Sequence, residues 1–197
     1  MQTGHNSQTA SRERTHALRN VGKTGLLVSR LAFGAMTFTA GNRDIGAVYK
    51  VGTELADTLV GRALDRGVNF FDTADGYADG QSETLLGRAL ASRRDGVVIA
   101  TKVGFRTGSP LTQAGLSRRH ILWSVDQSLR RLGTDWIDVY LAHREDPHTP
   151  IEETLGAFDA VVRAGKVRYI GFSNWSAWKA SAALEIQKAN GLAPFTL

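Results

Sequence analysis

Cysteine is absent from all 197 residues. That absence removes disulfide frameworks, thiolate metal sites and cysteine nucleophiles at once. No run approaches the roughly 18 to 20 apolar residues that a membrane-spanning helix needs, so no membrane partner is expected. The N-terminus has no apolar stretch of the secretory kind, and the expected location is the cytoplasm. His5, His16, His120 and His148 form no metal-ligand spacing, so no metal is expected.

Charge of one sign is also scarce where a nucleic-acid surface would need it. The formal net charge is +5, but residues 1–30 hold Arg12, Arg14, Arg19, Lys23 and Arg30 against the single acid Glu13. The rest of the chain carries 19 basic and 18 acidic side chains. A nearly balanced body with a basic leader has no one-sided basic face, and nucleic-acid binding is not expected.

What is present is a core and a repeat. An apolar content of 42% over this length suffices for one ordinary globular domain. Residues 1–16 are polar and patternless and read as a disordered leader, which leaves 17–197 as the domain. Two β-like runs, "ALRNV" and "LLVSR", flank "GKTG" and predict an N-terminal β-hairpin over 17–30. A short strand over 31–35 leads into a glycine-containing loop to about Gly52.

From there strands and helices alternate. Helix is expected over 54–65, with Leu55, Leu59 and Ala63 on the apolar face, Thr53 as N-cap and Gly67 as terminator. A strand at 68–71, a helix at 83–91 capped by Ser82 and a strand at 97–101 follow. Ser117 caps a helix running to Leu132, with Gly133 as its stop, and 136–142 reads as a strand buried on both faces. A helix over 151–164, a strand over 167–172, a helix over 177–190 ending at Gly191 and the opening of a sixth strand at 194–197 complete the pattern.

Repeated βα units imply a parallel sheet, either an open doubly wound one or a closed barrel. Asp72, Lys102, His143 and the pair Ser173 and Asn174 each follow the end of a predicted strand. In a barrel those ends ring one face and converge, whereas an open sheet spreads them along an edge. No Gly-rich dinucleotide fingerprint follows the first strand, which also counts against the open sheet. The expected fold class is therefore α/β, a (β/α)8 TIM barrel that is incomplete, with about five and a half βα units.

Such a cluster has a definite chemistry. A tyrosine phenol, with an ordinary pKa of about 10, is a poor acid at neutral pH unless a nearby cation stabilises the phenolate. Lys102 could supply that cation, Asp72 could hold it charged and oriented, and His143 could donate a hydrogen bond to a substrate carbonyl. Tyr77, just beyond Asp72, would then give its proton to the carbonyl oxygen as hydride reaches the carbon. Ser173 and Asn174 have the short polar side chains that hold an amide such as a nicotinamide carboxamide. The loops 36–52 and 105–115 lie on the same predicted face and are expected to shape the pocket.

Five segments in order, "FFDTADGY" ending at Tyr77, "SETLLGRAL" from Ser82, "IATKVG" from Ile99, "GTDWIDVYLAH" ending at His143 and "GKVRYIGFSN" ending at Asn174, resemble the aldo-keto reductase family. The resemblance runs from about residue 20 to 197. It implies a catalytic tetrad of Asp72, Tyr77, Lys102 and His143, cofactor contacts from Asp72, Ser173 and Asn174, and a cofactor-lining role for Met36. It further implies NADPH as cofactor, with NADH possible, and a small-molecule carbonyl substrate reduced to an alcohol. The length departs from the family, whose closed barrel needs eight units, and the expectation is a chain cut within a strand.

Other readings of the same residues stand beside these. Asp72 alone is an ordinary turn residue, Lys102 a solvated charge or a Schiff-base lysine, and His143 a structural residue or part of a charge cluster with Arg144, Glu145 and Asp146. Ser173 and Asn174 could cap the following helix, Met36 could be packing, and Trp175 and Trp178 are expected to pack on the barrel. Arg118, Arg119, Arg130 and Arg131 read as a solvated helix face. At the level of function, the alternatives are an inactive fragment or a non-catalytic binding or regulatory module on the same fold, as in potassium-channel β subunits that resemble reductases.

Overall fold

The computed structural model describes residues 17–41 and 45–197. The leader expected over 1–16 lies outside the described residues, as do positions 42–44 of the first long loop. Strands β1 (Leu18–Asn20) and β2 (Leu27–Ser29) form the expected antiparallel hairpin. Five parallel strands then pair in sequence order: β3 (Phe33–Gly34), β4 (Phe70–Asp72), β5 (Val98–Val103), β6 (Ile137–Ala142) and β7 (Val167–Phe172). Helices α1 (Thr53–Asp65), α2 (Gln81–Leu90), α3 (Arg118–Leu132) and α4 (Ile151–Arg163) connect successive strands, and α5 (Ala177–Ala189) follows β7.

The parallel register decides which side chains share a face. Asp72 pairs with Ala100, Ala100 with Val139 and Val139 with Tyr169, while Lys102 pairs with Leu141 and Leu141 with Gly171. Because strand side chains alternate, these residues belong to one face, and their neighbours Phe71, Ile99, Tyr140 and Ile170 to the other. The second set packs against Val60, Leu86, Ile121, Val125, Leu155 and Phe158 beneath the helices. The first set meets the hairpin, where Val21 and Val28 cluster with Val98, Ala100, Val139 and Leu141.

The hairpin is held to the N-terminal ends of the strands. Asn69, just before β4, accepts from Ser29 N at 2.6 Å and donates through Nδ2 to Leu27 O. One end of the inner face is thereby covered by apolar residues, and the other carries Asp72, Lys102 and the residues after β6 and β7. A sixth extended segment begins beside β7. Thr196 N donates to Ile170 O at 2.8 Å and Phe172 N to Leu197 O at 3.1 Å, with Phe195 bridged in parallel to Ile170.

Several local expectations need correction. Helix α1 buries Ala56 and Val60 and leaves Leu55 half exposed, so its apolar face is turned by one residue. Its N-cap is Gly52, not Thr53, and no side chain caps it. Ser82 is no cap either, since α2 begins at Gln81 and Ser82 is buried, where it donates to Ala35 O at 2.7 Å and meets Thr73 Oγ1 at 2.8 Å. Ser117 does cap α3, accepting from His120 N, and Gly133 ends that helix at φ +65°, a conformation that costs a residue with a Cβ. Arg131 is not solvated: its guanidinium pairs with Glu83, whose side chain is fully buried.

Candidate active site

Alternation along β5 sends Lys102 into the inner face, away from the helices that enclose Thr101. Its ammonium nitrogen then has three acceptors at hand. It donates to Asp72 Oδ2 at 2.7 Å and Thr73 O at 2.8 Å, and it approaches Tyr77 Oη at 3.4 Å. Lys102 is buried and Asp72 is a third exposed, so it is mainly the carboxylate of the pair that meets solvent.

Tyr77 is delivered by the chain after β4, which turns sharply. Ala78, Asp79 and Gly80 all have positive φ (49°, 54° and 84°), which reverses the chain between the tyrosine and α2. Backbone contacts hold the turn: Tyr77 N donates to Ala74 O and Asp75 N to Lys102 O. Arg131 lies against Gly80 so closely that a Cβ there would fall 2.6 Å from Arg131 Cδ.

His143 directly follows β6, with its backbone N donating to Val103 O at 2.8 Å. Its ring is edge-on to Tyr77 at 5.5 Å and to Phe105 at 4.5 Å between centroids. Burial pushes its pKa down to about 4, with the charges of Lys102 and Arg144 adding to the effect. The imidazole is thus neutral at pH 7, and its Nδ1 is buried without a hydrogen-bond partner among the described residues. The charge-cluster reading fails on partners, because Glu145 holds Ser176 and Asp146 holds Leu116 N, His148 N and Thr149.

At the end of β7, Asn174 takes a left-handed φ of 57°. Its Nδ2 donates to His143 O at 3.0 Å and to Ser173 Oγ at 2.8 Å. Ser173 therefore keeps its hydroxyl hydrogen to donate, and Asn174 keeps Oδ1 to accept, the donor and acceptor that a primary carboxamide requires. Neither residue caps α5, whose N-cap is Ser176. Their arrangement fits a nicotinamide amide group.

The four tetrad candidates are thus gathered at one end of the inner face, with Ser173 and Asn174 adjoining them through His143. Met36 lies beyond β3 on the same rim with its side chain exposed, so packing does not explain it. Trp175 packs on Phe172 and Phe195 as expected, but Trp178 is 72% exposed. Phe105, from the loop expected to shape the pocket, forms a wall beside His143, whereas sequence reasoning missed Arg144 as its neighbour and read it only as part of a charge cluster. It also missed a buried polar layer behind Tyr77 made of Asp75, Ser124, Glu83, Thr101 and Arg131. The second aspartate of "DTADGY", Asp75, was its one visible signal.

The model of the aldo/keto reductase family matches residues 30–196. A putative voltage-gated potassium channel subunit beta of Schizosaccharomyces pombe is 41% identical over 181 residues, 89% of this chain and 51% of the relative. Probable voltage-gated potassium channel subunits beta of Arabidopsis thaliana (41% identical, 84% of this chain and 48% of the relative) and Oryza sativa subsp. japonica (39%, 85% and 49%) are similar to it as well. The chain spans about half the length of these curated relatives. With the parallel βα order, the inner-face cluster and a family match over most of its length, the chain belongs to the aldo/keto reductase family, and its five-stranded parallel sheet is part of that family's (β/α)8 barrel.

Proposed function

We propose that the protein is an NADPH-dependent oxidoreductase, with NADH as a possible substitute, that reduces an aldehyde or ketone to an alcohol with Tyr77 as proton donor. The observation that carries this reading is the Lys102 ammonium, which touches both Asp72 and the Tyr77 hydroxyl. When bound, the reduced nicotinamide supplies hydride to the carbonyl carbon. Ser173 and Asn174 would hold its carboxamide with the donor and acceptor left free by their mutual hydrogen bond.

Tyr77 Oη gives its proton to the carbonyl oxygen, and the phenolate left behind faces the Lys102 cation. Asp72 keeps that lysine charged and in place, while Thr73 O fixes a second direction of the ammonium. A neutral His143 has one N–H, and with Nδ1 buried and without an acceptor among the described residues the productive tautomer places the proton on Nε2. From there it donates to the carbonyl oxygen and orients it toward Tyr77. Solvent then returns a proton to the phenolate.

The test is NADPH oxidation, followed by absorbance, with a panel of aldehydes and Tyr77→Phe as control. Loss of a positioned acid costs roughly 100-fold or more in kcat. Turnover undiminished in Tyr77→Phe would sink the assignment of the proton donor, and no turnover with any carbonyl would sink the reductase reading. A second reading, a regulatory subunit that binds a voltage-gated potassium channel, is favoured by the names of the relatives. It is separated by the same variant, because binding to a purified channel would survive Tyr77→Phe.

A further inference from the structure

The rim of the site uses its charges unevenly. Lys102 is matched by Asp72, and Lys179 faces Glu145 at 3.9 Å. Glu145 also accepts from Ser176 N and Oγ, and Asp146 is occupied by Leu116 N, His148 N and Thr149 Oγ1. Arg144 sits between His143 and these two acids in sequence. Its guanidinium nevertheless makes no hydrogen bond or ion pair with any described residue.

What it does contact is an aromatic wall of the site. The guanidinium carbon lies 4.8 Å from the centroid of the Phe105 ring. Phe105 in turn packs edge-on to His143 at 4.5 Å, and its Cβ is so near Gly76 that a Cβ there would come within 3.2 Å. These two ring separations put the guanidinium within about 9.3 Å of the imidazole. Stacking on the ring leaves the edge of the guanidinium, with its forked N–H donors, unused.

We infer that Arg144 is a specificity-determining residue that binds the carboxylate of a carbonyl substrate whose aldehyde or ketone oxygen lies at His143. The inference rests on the reductase reading and deepens it by naming a substrate class. A carboxylate is the planar, two-oxygen partner that matches a guanidinium fork, and both neighbouring acids are already engaged within the chain. Once one hydrogen-bond length of about 3 Å is allowed at each end, that upper limit confines the substrate to a compact molecule with carbonyl and carboxylate a few bonds apart. Phe105 would lie beside its body and hold the arginine in register.

The experiment compares 3-carboxybenzaldehyde with its uncharged isostere 3-formylbenzamide, using the protein and its Arg144→Met and Arg144→Lys variants. The parent protein is expected to prefer the carboxylate, mainly through a lower KM. Arg144→Met should lower the ratio of the two kcat/KM values roughly tenfold or more, the loss expected for a charge-assisted hydrogen bond. Arg144→Lys should restore the ratio only in part, since an ammonium lacks the fork. A ratio unchanged in Arg144→Met overturns the inference while leaving the reductase reading intact. A rise confined to the KM for NADPH also overturns it and reassigns Arg144 to the cofactor. If the parent protein turns over neither aldehyde but reduces other carbonyls, the inference is overturned and the reductase reading stands, whereas no turnover with any carbonyl ends both.

Discussion

Replacing Asp75 by asparagine should change how stability depends on pH. The residue lies two positions before Tyr77 and is 1% exposed. Its Oδ2 accepts from Ser124 Oγ at 2.8 Å, while Oδ1 is buried without a partner among the described residues. Burial, and next the neighbouring carboxylate of Glu83, push its pKa from the ordinary 3.8 up to about 7, against the lowering effects of Ser124, Arg131 and the Gly76 amide. The buried Tyr140 hydroxyl is the remaining titratable group coupled to it. A rise of about three units corresponds to about 4 kcal/mol between the two protonation states. The folded state prefers the protonated acid, so this contribution is fully present below pH 3.8 and is lost as the pH rises to about 7. Asparagine keeps the shape and a partner for Ser124 but cannot ionise. Urea unfolding from pH 4 to 8 should show Asp75→Asn near parity with the parent at pH 4 and more stable by up to about 4 kcal/mol at pH 8. In melting temperature that is about 2 to 4 °C per kcal/mol for a domain of this size. Equal pH slopes in the two proteins would refute the argument.

Two further outcomes follow from the same region. Arg131→Met leaves the fully buried Glu83 carboxylate without its cation, and loss of one partner of a buried pair should cost about 3 to 5 kcal/mol in urea unfolding; a loss below about 1 kcal/mol would contradict it. His143 should titrate near pH 4 in a carbon-detected NMR experiment, because burial and two cations hold it neutral, and a midpoint near 6.5 would show that its ring is solvated. The sign is opposite to that of Asp75: the depressed histidine adds stability above pH 6.5 that is lost as the pH falls toward 4.

The order and type of the elements were readable because strand and helix periods in this chain are distinct. Strand β6 is an unbroken apolar run apart from Asp138, and all six of its residues are buried. Even Asp138 has a local reason, since its carboxylate takes Arg94 and the Ile99 backbone N–H. Helix α1 was misphased because Leu55, Leu59 and Ala63 also lie on one helical stripe. The alternative stripe through Ala56 and Val60 is made of smaller side chains, and the small ones are buried because α1 packs closely against α2. Periodicity locates a stripe; which of two stripes faces inward depends on the neighbour's shape.

The candidate site was readable for a different reason than the layer behind it. Asp72, Lys102 and His143 interrupt or end apolar runs, and a polar residue where a buried strand stops needs an explanation even in one dimension. Glu83 and Arg131 give no such signal. An acid in the first turn of α2 and an arginine pair in the last turn of α3 are what helix dipoles favour at solvated ends, so the pattern points outward. The burial of Glu83 depends on its finding Arg131 across 48 positions of sequence, a contact that no local window contains. Yet the layer they belong to bears on the chemistry. Thr101, whose hydroxyl donates a hydrogen bond to Glu83, is adjacent to Lys102 on the opposite face of β5, and Arg131 braces the turn that carries Tyr77. The lysine and the tyrosine are therefore positioned from behind by side chains that never reach the opening. A change in that layer should move the Lys102 to Tyr77 separation, and with it the proton transfer proposed for Tyr77, without touching a substrate.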